Sequence, residues 1–156
     1  MKFTTLALTF TAALGLLFTT HLRATDEPAL MEPVKSILDQ YLAIQGEFAN
    51  DSIIGLDEHA NAIAKAITGD ERKMLPPSVA KQAELLAKAK DLRTARQAFV
   101  PLSNSLIKYL ADHKAGAGTY HVVYCSMVNA YWLQTGKDIK NPYMGKQMLT
   151  CGQFKS

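Results

Sequence analysis

The sequence predicts a mainly α protein (α+β in class): an antiparallel bundle of three to four helices with a small C-terminal appendage of β-hairpin and short helix. Three observations lead there. Apolar residues recur at three- and four-residue steps from Val34 to Leu110, the period of amphipathic helices. After Gly118 the pattern changes to the β-branched and aromatic run Thr119-Tyr120-His121-Val122-Val123-Tyr124, which is strand composition. Finally, 156 residues with 48% hydrophobic and 20% charged side chains suffice for one packed core.

The first two dozen residues stand apart. Lys2 precedes an uncharged, apolar stretch, and the small residue Ala24 follows it. This is the pattern of a secretory signal peptide over residues 1–24, cleaved near Ala24. The stretch from Phe3 to Thr20 is 18 residues long and rich in threonine, marginal for a membrane span. The mature chain is therefore expected to be periplasmic or otherwise secreted, with no span of its own. Its single domain should cover residues 28–152, divided into a bundle (28–116) and an appendage (119–152).

Val34, Ile37, Leu38, Tyr41 and Phe48 define the buried stripe of a first helix. Asn50-Asp51-Ser52 breaks it and supplies an N-cap for a second, which buries Ile53, Leu56, Ala60, Ile63 and Ile67. Gly69-Asp70 ends that helix. Pro76-Pro77-Ser78 opens a third, with Val79, Leu85 and Leu86 as its contacts. Leu92, Ala95, Phe99, Leu102, Leu106 and Leu110 share one face of a fourth, interrupted by Pro101, which removes a hydrogen bond and favours a kink. The third and fourth segments read equally as one bent helix. Short connections favour antiparallel neighbours.

In the appendage, Thr135-Gly136-Lys137 between Ala130-Tyr131-Trp132-Leu133 and Asp138-Ile139-Lys140 reads as a hairpin with Gly136 at the turn. Asn141-Pro142 then reads as the N-cap and first residue of a helix ending near Gly152.

Charge narrows the partners. Seventeen Lys+Arg oppose fourteen Asp+Glu, and removing Lys2 and Arg23 with the leader leaves a net of only +1. No basic stripe tracks a phosphate backbone, so nucleic acid is not expected. No GxSxG, P-loop, HExxH, EF-hand or CxxCH pattern occurs, and no third group orients a Cys–His pair, so catalysis is not expected either.

The chemistry-bearing residues gather in two short arms, Cys125-Ser126-Met127 and Met148-Leu149-Thr150-Cys151, which hold both cysteines and two of the six methionines. In a helix Met148 and Cys151 share a face, and in an extended segment so do Cys125 and Met127. Thiolate plus thioether is a soft ligand set that selects Cu(I) and disfavours hard cations, whereas structural zinc prefers four Cys or His ligands. The competing reading is a disulfide, the usual state of two cysteines in an exported protein. A Cys125–Cys151 bridge closes a loop of about 27 residues, worth about 3.5 kcal/mol in the chain-entropy view. On residue types alone the disulfide is favoured. His121 is an extra ligand or a hydrogen-bonding neighbour of the site only if its strand bends, since four extended residues place it about 13 Å from Cys125. His59 reads as a solvated side chain. Tyr120, Tyr124, Tyr131, Trp132 and Tyr143 read as the joint between appendage and bundle.

Tyr124-Cys125-Ser126-Met127, Ala130-Tyr131-Trp132-Leu133, Ile139-Lys140-Asn141-Pro142-Tyr143-Met144-Gly145 and Met148-Leu149-Thr150-Cys151-Gly152 resemble a bacterial domain of unknown function with the pattern YCPM, AxWL, IxNPYxG, MLxCG. Arg96-Gln97-Ala98-Phe99-Val100-Pro101-Leu102-Ser103 resembles that family's helical signature. The family's members are exported, alone or fused to periplasmic adaptor subunits of copper/silver efflux pumps. The resemblance implies a Cu(I) or Ag(I) site at Cys125, Met127, Met148 and Cys151, and a heavy-metal efflux adaptor or other envelope metal protein as partner. With it, the metal reading overtakes the disulfide. Two departures stand out: Ser126 replaces the family's proline, and the stretch from Met127 to Ala130 is shorter than in many members.

Overall fold

The computed structural model describes residues 30–155; the expected leader over residues 1–24 lies outside the described residues. Four helices follow one another, α1 (Val34–Ala49), α2 (Leu56–Thr68), α3 (Pro77–Ala87) and α4 (Leu92–His113). Three strands come after them, β1 (His121–Cys125), β2 (Ala130–Gln134) and β3 (Gln153–Lys155), in the antiparallel order β2-β1-β3. The protein is thus a mainly α bundle with a small β appendage, as the hydrophobic periods predict. Among the described residues no helix is long and apolar enough to cross a membrane.

The helical stripes fall where the periodicity puts them. Val34, Ile37, Leu38, Tyr41 and Phe48 are buried on α1, and Leu56, Ala60, Ile63 and Ile67 on α2. The cap between them is different from the expected one. Asn50 and Ser52 donate backbone N–H groups to Glu47 O, Asn50 also to Gly46 O, and the Ser52 hydroxyl accepts from Ile54 N. Those polar groups therefore close the turn leaving α1, and α2 starts from Gly55 with φ at 69°. On α3 the stripe is Val79, Ala80, Ala83 and Leu86, while Leu85, one step off it, is 63% exposed. Asp91 caps α4 by accepting from Thr94 N and Thr94 Oγ1, so α3 and α4 are separate helices. α4 stays helical through Pro101. His59 is not simply solvated: its Nδ1 lies 2.7 Å from Gln40 Oε1 and ties α2 to α1.

The appendage holds the larger corrections. The hairpin joins β1 to β2 through residues 126–129, with Asn129 at φ 49° at its end, in the register Val123↔Trp132 and Cys125↔Ala130. Thr135-Gly136-Lys137 is not a hairpin turn. The loop 135–140 is gathered by the Gln134 amide, whose Nε2 donates to Gly136 O and Asp138 O and whose Oε1 accepts from Lys140 N and Trp132 Nε1. Asn141 does cap a turn, its Oδ1 accepting from Tyr143 N and Met144 N. Gly145, at φ 56°, stops that turn, only the 3-10 segment Gly145–Gln147 follows, and the chain runs on into β3 rather than a helix.

One hydrophobic cluster spans bundle and appendage. Phe99 of α4 stacks on Tyr41 at 4.7 Å and meets Tyr143 at 6.0 Å, and Tyr143 meets Trp132 edge-on at 6.1 Å. Trp132 and Tyr143 thus form the joint that the aromatic content predicts, whereas Tyr131, 40% exposed, packs at a tilt against Tyr124.

Candidate functional site

The two cysteines meet at the end of the sheet. β3 pairs with β1 in the register Tyr124↔Gln153, so the next step of the ladder sets Gly152 beside Cys125 and brings Cys151 to the thiol. The sulfurs lie 2.6 Å apart, with Cys125 buried and Cys151 half-buried. This juxtaposition comes from strand pairing rather than from a helix, which is why it was not legible in residue spacing. Gly152 is required for it: a side chain there would come within 2.8 Å of Trp132 and 2.9 Å of Val123.

The two thiols have unequal surroundings. Burial works against ionisation of Cys125, but hydrogen bonds from the Cys151 thiol, from Val128 N and Met127 N, and from the Asn141 side chain outweigh it and hold its pKa below the ordinary thiol value. Cys151 is shifted the other way, chiefly because its hydrogen bond to Cys125 holds its proton.

Asn141 is the residue that sequence reasoning missed as part of the site. Besides capping the turn, it is fully buried, donates from Nδ2 to Cys151 O at 2.6 Å, and donates its backbone N–H to Leu149 O at 2.7 Å. A single side chain therefore fixes the approach of Cys151 to the sheet. The signal in the sequence was Asn141-Pro142, read only as a helix cap.

Met127 lies in the β1–β2 turn and Met148 follows the 3-10 segment, with 63% and 37% of their surfaces exposed. Cys151 N donates to Met148 O at 3.0 Å, so a tight turn, not a helical face, relates those two residues. His121 stays at the far end of a regular strand, its ring edge-on to Phe154 at 5.7 Å, and takes no part in the thiol site. Among the described residues no three His, Cys, Asp or Glu side chains gather as a metal-holding group. A metal here would depend on the two thiolates and on thioether sulfur. On the other side of the turn, a groove of about 470 Å³ between α4 and the hairpin is lined by Leu92, Val100, Val128 and Tyr143, with Arg93 and Arg96 at its rim.

No family model, curated protein or solved structure matches the chain.

Proposed function

We propose that the protein binds Cu(I) or Ag(I) through the thiolates of Cys125 and Cys151, with Met127 and Met148 as supplementary thioether donors, and serves as an exported carrier or accessory of heavy-metal efflux. The observation that carries this is the opposed pair of cysteine sulfurs, brought to 2.6 Å of each other by the pairing of β3 with β1. Two soft anionic donors with exposed methionines beside them in the chain suit a soft monovalent ion and suit no hard cation. The motif resemblance supports the link to export and rests on the C-terminal residues quoted above. Thiolates sharing a metal at about 2.3 Å each stand about 3.7 Å or more apart, so Cys125 and Cys151 must part by about 1 Å to take an ion.

The test is a Cu(I) competition titration of the reduced protein against a chromogenic chelator, beside a variant with both Cys125→Ser and Cys151→Ser. Stoichiometric capture by the parent, lost in the variant, is expected. No capture overturns the reading.

The close approach of the sulfurs also favours a second reading, in which a Cys125–Cys151 disulfide staples an interaction module that docks on an envelope partner without metal. It requires that protein taken from its native compartment carry no free thiol and keep its partner when metal is removed.

A further inference from the structure

The asymmetry of the thiol pair bears on how it would be opened and closed. Cys125 is 1% exposed, sealed between Ala130 on one side of the sheet ladder and the start of β3 on the other. Cys151 lies outside the ladder in the turn from Met148 and is half-buried. Each sulfur faces the other at 2.6 Å, so what distinguishes the two is access from solvent.

We infer that Cys125 and Cys151 are a reversible dithiol–disulfide couple entered through Cys151, with Cys125 as the sheltered leaving group and a small or protein-borne dithiol as the reductant. Thiol–disulfide exchange proceeds by attack of a thiolate on one sulfur and departure of the other, and it is fastest when the attacked sulfur is accessible and the departing one is stabilised as an anion. In the oxidised protein, a thiolate of the reductant attacks Cys151 Sγ. The Cys125–Cys151 bond breaks, its electron pair leaves on Cys125 Sγ, and that sulfur then takes up a proton. The second thiol of the reductant attacks the mixed disulfide and releases Cys151. The protein gains two electrons and two protons, and the reductant becomes a disulfide. Oxidation by a disulfide-bearing partner is the same path reversed. A bridge of this kind is labile, unlike one buried at both sulfurs. Its use as a gate, with metal taken only by the reduced form, rests on the metal reading above; the exchange itself does not.

The experiment needs no metal. Oxidised protein is treated with reduced glutathione, quenched in acid, alkylated and digested with trypsin, which separates Cys125 (residues 115–137) from Cys151 (residues 147–155). Glutathione is expected on the Cys151 peptide and alkylation on Cys125. As a second readout, the single variants are treated with oxidised glutathione. Cys125→Ser, which keeps Cys151, should react at least about tenfold faster than Cys151→Ser, which keeps only the buried thiol; this ratio decides if the mixed disulfide resolves too fast to trap. Glutathione on Cys125, equal rates in the two variants, or a pair that glutathione disulfide does not oxidise overturns the inference. Cu(I) titration of the reduced and oxidised forms then separates the two ideas. If the reduced form captures no Cu(I) the metal reading falls and the exchange stands, and if no disulfide forms the converse holds.

Discussion

Arg96 Nη2 donates to Asp51 Oδ1 at 2.7 Å, and the same guanidinium donates to Phe48 O at 2.7 Å and Pro142 O at 2.6 Å. The second oxygen of Asp51 accepts from Lys146 N at 3.1 Å. One side chain of α4 thereby fastens the end of α1, the turn after it and the segment between Asn141 and Met148. Arg96 is a clamp for the appendage rather than a surface ion pair, because two of its partners are backbone carbonyls: Phe48 O, which it shares with Asp51 N, and Pro142 O, which takes its side-chain hydrogen bond from Arg96 alone.

Arg96→Ala should therefore lower the unfolding free energy by on the order of 3 kcal/mol, since hydrogen bonds from a charged group contribute about 1.5–3 kcal/mol and their loss strands the Pro142 carbonyl. Arg96→Lys should recover less than half, because an ammonium cannot span three acceptors with the guanidinium's fork. Urea unfolding measures both. A loss below about 1 kcal/mol for Arg96→Ala would remove the clamp.

Gly145 sits against that pair. Its φ is 56°, and a Cβ built on it overlaps the Asp51 carboxylate and the Arg96 guanidinium. Gly145→Ala should cost about 2–4 kcal/mol from backbone strain and overpacking together. Adding Asp51→Ala should make the combined loss smaller than the sum of the single ones. Gly46→Ala is the control: Gly46 is inside α1 with nothing within 4 Å of its would-be Cβ, so it should gain about 0.5–1 kcal/mol from helix propensity.

Acid should weaken the same junction. The hydrogen bond from Arg96, followed by the Lys146 N–H, holds the Asp51 carboxyl below the ordinary aspartate value of 3.8. A pKa depressed on folding contributes stability that is complete above the unfolded value and is lost as pH falls through the folded one. Asp51→Asn has no such dependence at this position. Its deficit in melting temperature against the parent should be constant above about pH 5 and shrink steadily below about 4. A deficit that stays unchanged down to pH 2 would show that the charge of Asp51 is immaterial.

The bundle was legible because its period is carried by many residues at once, and a single misfit such as exposed Leu85 does not disturb the stripe of Val79, Ala83 and Leu86. The appendage was not, because its architecture depends on a few polar side chains acting at a distance. Gln134 turns what reads as the second half of a hairpin into a loop by making three hydrogen bonds to it. β3 is only three residues long and exposed throughout, so it has no hydrophobic alternation to announce it. The cysteines as a pair could be read from residue type; that they meet by a third strand could not, and nor could the role of Asn141, whose partners lie up to ten residues away along the chain. His121 behaved as extended-chain distance predicts, far from Cys125.

The free edge of β2 offers the last test. Leu133 N donates to Tyr41 OH at 3.1 Å, Tyr41 OH and Ser103 Oγ lie 2.9 Å apart, Ser103 Oγ and Tyr143 OH 3.2 Å, and Tyr143 OH donates to Tyr131 O at 2.8 Å. A phenol has one proton, and Tyr143 gives its proton to Tyr131 O. Ser103 must then donate to Tyr143 and accept from Tyr41, so the chain runs in one direction from the Leu133 N–H to the Tyr131 carbonyl. Burial pushes the pKa of both phenols far above the ordinary range, which keeps both protons in place. Among the described residues no buried side-chain polar atom lacks a partner, and this relay is one reason. Tyr41→Phe strands a buried N–H and should cost about 2 kcal/mol. Tyr143→Phe should cost less, because a carbonyl tolerates an empty lone pair better than an N–H tolerates having no acceptor. Ser103→Ala breaks only the middle link and leaves both strand groups bonded, so about 1 kcal/mol is expected. Denaturant titration should give that order, Tyr41→Phe above Tyr143→Phe and Ser103→Ala. If Ser103→Ala proves the most damaging of the three, Ser103 is the anchor of the edge and the one-way relay is wrong.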